Sequence, residues 1–279
     1  MTRASNPRIR ALFLDLDGTL IDEEERISPR VLAAIRAARA RGCIEVVCTG
    51  RTRFTALPIA EQLAPPLGYA VVSNGAVVVH LQRHETLLHR LLPEPLALQI
   101  IHTMVDLGLT PCVYEDALHG SIERSRVLYP PGMSIGEWAQ PPRYQPCSYL
   151  LEHLPFNPVS VSAFGPAEWI QPRIALLRTR LPETVSAIET GSARTWGVEV
   201  YAGGVSKRQG AAMLAEHLGI EREEVMAIGD HRNDIELLQW AGIGVAMGNA
   251  LPEVIAAADW VTGSVQEDGV AQAIERFVL

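Results

Sequence analysis

The sequence predicts an α/β protein, a doubly wound Rossmann-like parallel sheet core with a large inserted α+β cap domain. Three observations predict it. Short apolar runs at Ile9–Leu14, Ile44–Val47 and Val225–Ile228 each read as a buried strand. Helical stretches separate such runs, as parallel strands require of their crossovers. The alternation breaks after Asn74-Gly75 and resumes at Lys207, which marks the segment between as an insert.

The elements follow in order. Ile9–Leu14 is the first strand. Ser28-Pro29 starts a helix, because serine caps and proline fits the first turn. That helix runs through Val31, Leu32, Ile35 and Ala38 and stops at Gly42. Ile44–Cys48 is the second strand, followed by a helix around Thr52–Leu63 that Pro58 breaks or begins, and by a strand at Tyr69–Ser73. Ala76–Leu81 and Leu87–Leu92 then read as paired strands, and Pro95–Leu107 as an amphipathic helix closing at Gly108. Short strands are expected at Pro111–Tyr114, Leu118–Glu123, Ser148–Leu151 and Pro158–Phe164, with a Pro-rich stretch from Tyr129 to Pro146. A helix at Glu168–Leu181 and a strand pair at Val185–Thr190 and Thr195–Tyr201 complete the insert. The expected division is a core of 1–80 and 195–279 around an insert of 81–194.

Of 279 residues, 48% are hydrophobic and 20% charged, the balance of a soluble globular protein long enough for two domains. A net charge of −8 argues against nucleic acid as a partner. No apolar run approaches the roughly 20 residues of a membrane span, and the first ten residues hold no secretory h-region. The four cysteines form no CxxC pair, and Cys43 and Cys48 bracket one strand, too far apart to bridge. Free thiols in a reducing cytoplasm are the simplest expectation.

The chemistry concentrates at strand and loop ends. Asp15-Leu16-Asp17-Gly18-Thr19-Leu20 closes the first strand, and carboxylates two residues apart there can point into one site. Paired acids at the end of a buried strand are costly unless something positive joins them. Mg²⁺, a hard ion that takes carboxylate and carbonyl oxygens, is the usual answer. Cys48-Thr49-Gly50-Arg51 closes the second strand. Gly203-Gly204-Val205-Ser206-Lys207 precedes a helix over Gln209–Leu218, and Gly229-Asp230-His231-Arg232-Asn233-Asp234 follows Val225–Ile228. Of 24 basic residues Lys207 is the only lysine. A compact ammonium can sit as a point charge between a phosphate oxygen and a carboxylate, where a guanidinium needs a planar fork.

These four motifs, in this order, resemble the haloacid dehalogenase superfamily of phosphotransferases, and most closely its Cof-type phosphatases. Ser73-Asn74-Gly75-Ala76, Met247-Gly248-Asn249-Ala250 and Glu267-Asp268-Gly269-Val270 extend the match. The resemblance covers both ends of the chain well and the middle poorly. It implies that Asp15 is the nucleophile and forms an aspartyl-phosphate, and that Asp17 is general acid and then base. Asp15, Asp230 and the Asp17 main-chain carbonyl would hold Mg²⁺, with Asp234 behind them. Thr49, the Gly50 and Leu16 amides and Lys207 would bind phosphate, and Asn233 would donate to phosphate or to a metal-bound water. Arg51, Asn74 and Asn249 are candidates for substrate contact or for holding loops. The implied activity is hydrolysis of small phosphorylated metabolites, sugar phosphates first, by a monomer or homodimer. A phosphomutase and a non-catalytic metabolite-binding regulator are the alternatives.

Overall fold

The structure is a computed structural model that describes residues 8–63, 68–83, 85–116, 125–133, 143–191 and 196–279. In chain order it opens with β1 (Ala11–Leu14), α1 (Pro29–Ala40), β2 (Ile44–Cys48), α2 (Arg53–Ala60), β3 (Tyr69–Val72), β4 (Val77–His80) and β5 (Glu85–His89). Next come α3 (Glu94–Asp106), β6 (Cys112–Glu115), β7 (Arg126–Tyr129), β8 (Tyr144–Pro146), β9 (Ser160–Gly165), α4 (Ala167–Arg180), β10 (Val185–Gly191) and β11 (Trp196–Ala202). The chain closes with α5 (Lys207–Leu218), β12 (Val225–Gly229), α6 (Ile235–Trp240), β13 (Ile243–Ala246), α7 (Pro252–Ala257), β14 (Trp260–Val261) and α8 (Gly269–Phe277).

Two compact units result, Met1–Leu87 with Ser206–Leu279, and Leu88–Val205. The first holds an eight-stranded sheet in the order β14-β13-β12-β1-β2-β3-β4-β5, parallel from β14 to β3. Strand β1 lies at its centre, and Ala11, Leu12, Phe13 and Leu14 are fully buried, as expected of a strand covered on both faces. Ser28 caps α1 by accepting from the Val31 amide, and Val31, Ala34, Ile35 and Ala38 form its buried stripe. Pro58 lies inside α2 rather than breaking it. In an eight-residue helix the missing amide removes a single backbone bond, and Ala56, Ile59 and Ala60 still pack inward.

The second unit holds a six-stranded sheet, β10-β11-β9-β6-β7-β8. On α3 the buried residues Ala97, Ile100, Ile101 and Met104 recur at helical spacing. They join Ile170, Ile174 and Leu177 of α4 and Val113, Leu128, Val161, Val198 and Val200 of the sheet in one core.

The sequence reading places the crossings at 80/81 and 194/195, and the compact units divide at 87/88 and 205/206. The difference has a cause at each end. Strand β5 extends the edge of the first sheet, whereas β11 pairs with both β10 and β9 and so lies inside the second. The strand expected at Ser148–Leu151 is instead a turn, because its amide bonds close locally, Glu152 and His153 both donating to the Tyr149 carbonyl. Strands β7 and β8, absent from the sequence reading, pair in parallel with each other. The strand expected at Leu118–Glu123 falls outside the described residues.

Candidate active site

Strand register assembles the site. Leu14 of β1 pairs with Ile228 of β12 and with Val47 of β2. The residues that follow, Asp15, Gly229 and Cys48, therefore emerge side by side at the carboxyl ends of three neighbouring parallel strands. In open α/β sheets ligands bind at this edge.

Asp15 is 5% exposed, and its Oδ1 accepts from the Lys207 ammonium at 2.7 Å. The same Nζ donates to Oδ1 of Asp234, also at 2.7 Å. Asp234 is fully buried, and its Oδ2 takes the Asp230 amide at 3.2 Å and the His231 amide at 3.0 Å. Both Asp234 oxygens are thus engaged, so it ties Lys207 to the loop that carries Asp230. Asp230 accepts from the Thr19 hydroxyl at 3.0 Å. Gly18 has φ +74, and a Cβ there would meet an Asp230 oxygen at 2.5 Å. The turn after Asp17 can follow this path only as glycine.

Lysine reaches the site because helix α5 comes close. Ser206 caps that helix by accepting from the Gln209 amide, and Lys207 is its first residue. Gly75, at φ +95, lies so near that a Cβ would meet the Ser206 carbonyl at 2.1 Å. Lys207 is itself 1% exposed.

Electrostatically the cluster lacks positive charge. Oxygens of Asp15, Asp230 and Asp234 lie within 4.8 Å of one another around a single ammonium. Two like charges about 4 Å apart repel by roughly 4 kcal/mol at an effective dielectric of 20. Burial pushes the Asp15 carboxyl up, Lys207 pulls it down, and Asp234 and Asp230 push it further, leaving it well above the ordinary range. Asp230 is pushed up to about 6 by burial and then by Asp234. Burial works against the Lys207 ammonium, but Asp15 and Asp234 outweigh it and hold its pKa above the ordinary value. Such a donor set, all carboxylate and short of cations, fits a hard divalent ion. Asn233 adds to the fit, since its Oδ1 is buried without a partner among the described residues.

The remaining candidates divide. Thr49 is buried, with its amide on the Val71 carbonyl and its hydroxyl oxygen accepting from the Arg51 amide at 3.1 Å. The Gly50 α-carbon lies close to the Asn74 side chain, which a Cβ would meet at 3.1 Å. The Leu16 carbonyl accepts from the Thr19, Leu20 and Ile21 amides, which winds the loop tightly after the strand. Asn74 is fully buried in left-handed backbone at φ +54, donates its amide to the Thr49 carbonyl, and accepts from Asn233 Nδ2 at 2.9 Å. It therefore joins the Thr49 loop to the Asn233 loop, and the Asn233 nitrogen expected for phosphate is committed to it. Asn249 donates to the Gly18 carbonyl at 2.8 Å and accepts from the Val265 amide at 3.0 Å, bracing the Gly18 turn. The carboxylate of Asp17 projects from the cluster and is gripped by Arg51 through Nε at 2.8 Å and Nη2 at 2.5 Å.

Three participants escaped the sequence reading. Thr19 has a signal, its place in the first motif. Ser73 combines φ +50 with a buried hydroxyl that has no partner among the described residues, neither of which sequence displays. Glu25, which bonds Arg51, is hidden in a run of acids.

A parallel sheet whose strand ends gather acids around one buried ammonium defines a phosphoryl-transfer class of site. Residues 12–274 match the family described as haloacid dehalogenase-like hydrolase. The chain belongs to that family, in its Cof-type phosphatase branch. It is 30% identical to the 5-amino-6-(5-phospho-D-ribitylamino)uracil phosphatase YcsE of Bacillus subtilis, over 97% of this chain and 96% of that protein. It is also 30% identical to the pyridoxal phosphate phosphatase YbhA of Escherichia coli, over 95% and 97%. Among solved structures, the HAD subclass IIB sugar phosphatase BT4131 superposes with a TM-score of 0.74 at 26% identity, covering 96% of this chain and 98% of that one. No helix among the described residues is long and apolar enough to cross a membrane.

Proposed function

We propose that this chain is a Mg²⁺-dependent phosphatase that hydrolyses small phosphorylated metabolites, sugar phosphates first, through an aspartyl-phosphate on Asp15. The observation that carries the reading is the Lys207 ammonium shared at 2.7 Å between Asp15 and Asp234 beside Asp230. A purely structural acid cluster would hardly gather three carboxylates around one cation, given the repulsion. Sugar phosphates come first because BT4131 is named a sugar phosphatase. The names of YcsE and YbhA widen the class to other phosphorylated metabolites.

Asp15, Asp230 and the Asp17 main-chain carbonyl would hold Mg²⁺, which supplies charge neutralisation for the phosphate. The chain's own residues do the rest. An Asp15 oxygen attacks phosphorus while the bond from phosphorus to the alcohol oxygen breaks, and Asp17 gives its proton to that oxygen. Water then attacks the aspartyl-phosphate phosphorus and passes a proton to Asp17, and Asp15 leaves as carboxylate. Lys207 balances Asp15 and the incoming phosphate. Thr49 retains its hydroxyl proton for a phosphate oxygen, alongside the Gly50 and Leu16 amides. Asn233 offers its Oδ1 to a proton of bound water. The insert expected at 81–194 would be the cap that the family resemblance implies, and the source of selectivity for the leaving alcohol.

A phosphate-release screen tests this, over sugar phosphates, nucleotides, flavin mononucleotide and pyridoxal phosphate, with and without Mg²⁺. Turnover requiring Mg²⁺ supports the reading. Isomerised product without net phosphate release would make the chain a mutase, and binding without turnover a regulator.

A further inference from the structure

Glu25 adopts left-handed backbone at φ +58, although it carries a Cβ. For such a residue this backbone is strained, because Cβ crowds the following carbonyl oxygen. The surroundings impose it. The Glu25 amide donates to the Asp22 carbonyl, Asp22 Oδ1 takes the Glu24 and Arg26 amides, and the Arg26 guanidinium grips Asp22 Oδ2. Gln62 Nε2, from beyond α2, donates to the Glu25 carbonyl at 2.9 Å. The tight turn so formed aims the Glu25 carboxylate at Arg51 Nη1, at 2.6 Å. The other two bonding nitrogens of Arg51 fork onto both oxygens of Asp17.

Stability does not account for the arrangement. The side chains of Asp17 and Glu25 are 58% and 57% exposed. Their shared partner Arg51 is 22% exposed, but with both acids facing water the pairs are screened and do not by themselves explain why a residue with a Cβ is held in left-handed backbone. Strain held in place by its surroundings at a reaction centre points instead to a mechanistic role.

We propose that Glu25 is a positioning residue that acts through Arg51 to set the carboxylate of Asp17 for proton exchange with the leaving alcohol. Nη1 on Glu25 fixes the rotation of the guanidinium plane, and the fork on Nε and Nη2 then fixes the Asp17 carboxylate plane. As the phosphorus–oxygen bond to the alcohol breaks, the Asp17 proton passes to that oxygen. Protonated, Asp17 keeps one of the two fork bonds through its carbonyl oxygen while its O–H faces the alcohol; the carboxylate left behind accepts both and is the base for water in the second step. The inference rests on the assignment of Asp17 as the proton-transfer group, and the controls separate the two.

The test compares kcat/KM for benzyl phosphate, whose alkoxide needs a proton to leave, with that for p-nitrophenyl phosphate, whose phenolate does not. General acid catalysis contributes about 10²–10⁴-fold. Asp17→Asn is expected to lower the benzyl-to-nitrophenyl ratio by about that much. Glu25→Gln and Glu25→Gly are expected to lower the same ratio about tenfold, a part of the whole. Glycine relieves the positive φ while removing the carboxylate, so it separates backbone strain from positioning. A Glu25→Gly enzyme with the wild-type ratio would overturn the inference, as would equal losses on both substrates. An unchanged ratio in Asp17→Asn would overturn the assignment beneath it and the inference with it. Retained nitrophenyl phosphate turnover by the Glu25 variants shows that they fold.

Discussion

The Lys207 ammonium lies 2.7 Å from Oδ1 of Asp15, joining the only lysine of the chain to the acid that closes its first strand. The two are 192 residues apart in sequence and meet because β1 and α5 deliver them to the same end of one sheet. Asp15 and Asp234 both hold Nζ at hydrogen-bond distance, and 1% of the lysine is exposed.

Lys207→Arg is therefore not conservative. A planar guanidinium overfills the space between two carboxylates and moves the charge away from Asp15. We expect kcat to fall about 10²-fold or more, comparable to the loss of an electrostatic donor at a reaction centre. Near-normal kinetics would mean that charge alone suffices at this position.

Asp234→Asn separates stability from chemistry. One face of the new amide must present NH₂ either to Lys207 or to the Asp230 and His231 amides, which are themselves donors. Breaking a buried ion pair on one side costs about 3–5 kcal/mol. Urea unfolding should show a drop of that size, and a change below about 1 kcal/mol would contradict the network described.

Gly75→Ala tests how α5 is placed. A Cβ there would meet the Ser206 carbonyl at 2.1 Å, and alanine would also have to hold φ +95. Backbone strain alone costs about 1–3 kcal/mol. Lys207 adjoins Ser206, so kcat should fall together with stability. A stable, fully active Gly75→Ala protein would show that the close approach is not needed.

The four cysteines are free and buried. Burial pushes the Cys112 thiol up to about 12 and raises Cys48 as well. Thiolate is the reactive form, so at pH 8 the native protein should react slowly with a thiol reagent and release four equivalents only when denatured. Rapid titration of several native thiols would contradict the burial.

Much of this site was legible in sequence because it hangs on strand ends. A buried apolar run closing in Asp, Thr-Gly or Gly-Asp announces both the strand and the place where its chemistry emerges. Lys207 was legible because it is unique. Glu25 was not, since nothing in Asp22-Glu23-Glu24-Glu25 says which acid turns back, and the answer lies in a backbone angle. Asn74 read as turn or site, and its role depends on a partner 159 residues away. The limits of the insert were blurred for a related reason. Strand β11 belongs to the second sheet through pairing with β9, a non-local choice that periodicity does not encode. The turn at Ser148–Leu151 carries the apolar content of a strand, and Leu150 is indeed buried, but its backbone bonds are local.

The central claim is that phosphate passes through Asp15. Acid quenching during steady-state turnover, borohydride reduction and peptide mass spectrometry test it directly, because reduction converts an aspartyl-phosphate to homoserine. The account predicts homoserine at position 15, dependent on substrate and Mg²⁺ and absent from the Asp15→Asn protein, which stays folded without turnover. Homoserine at another aspartate, or turnover within tenfold of wild type in Asp15→Asn, would contradict it.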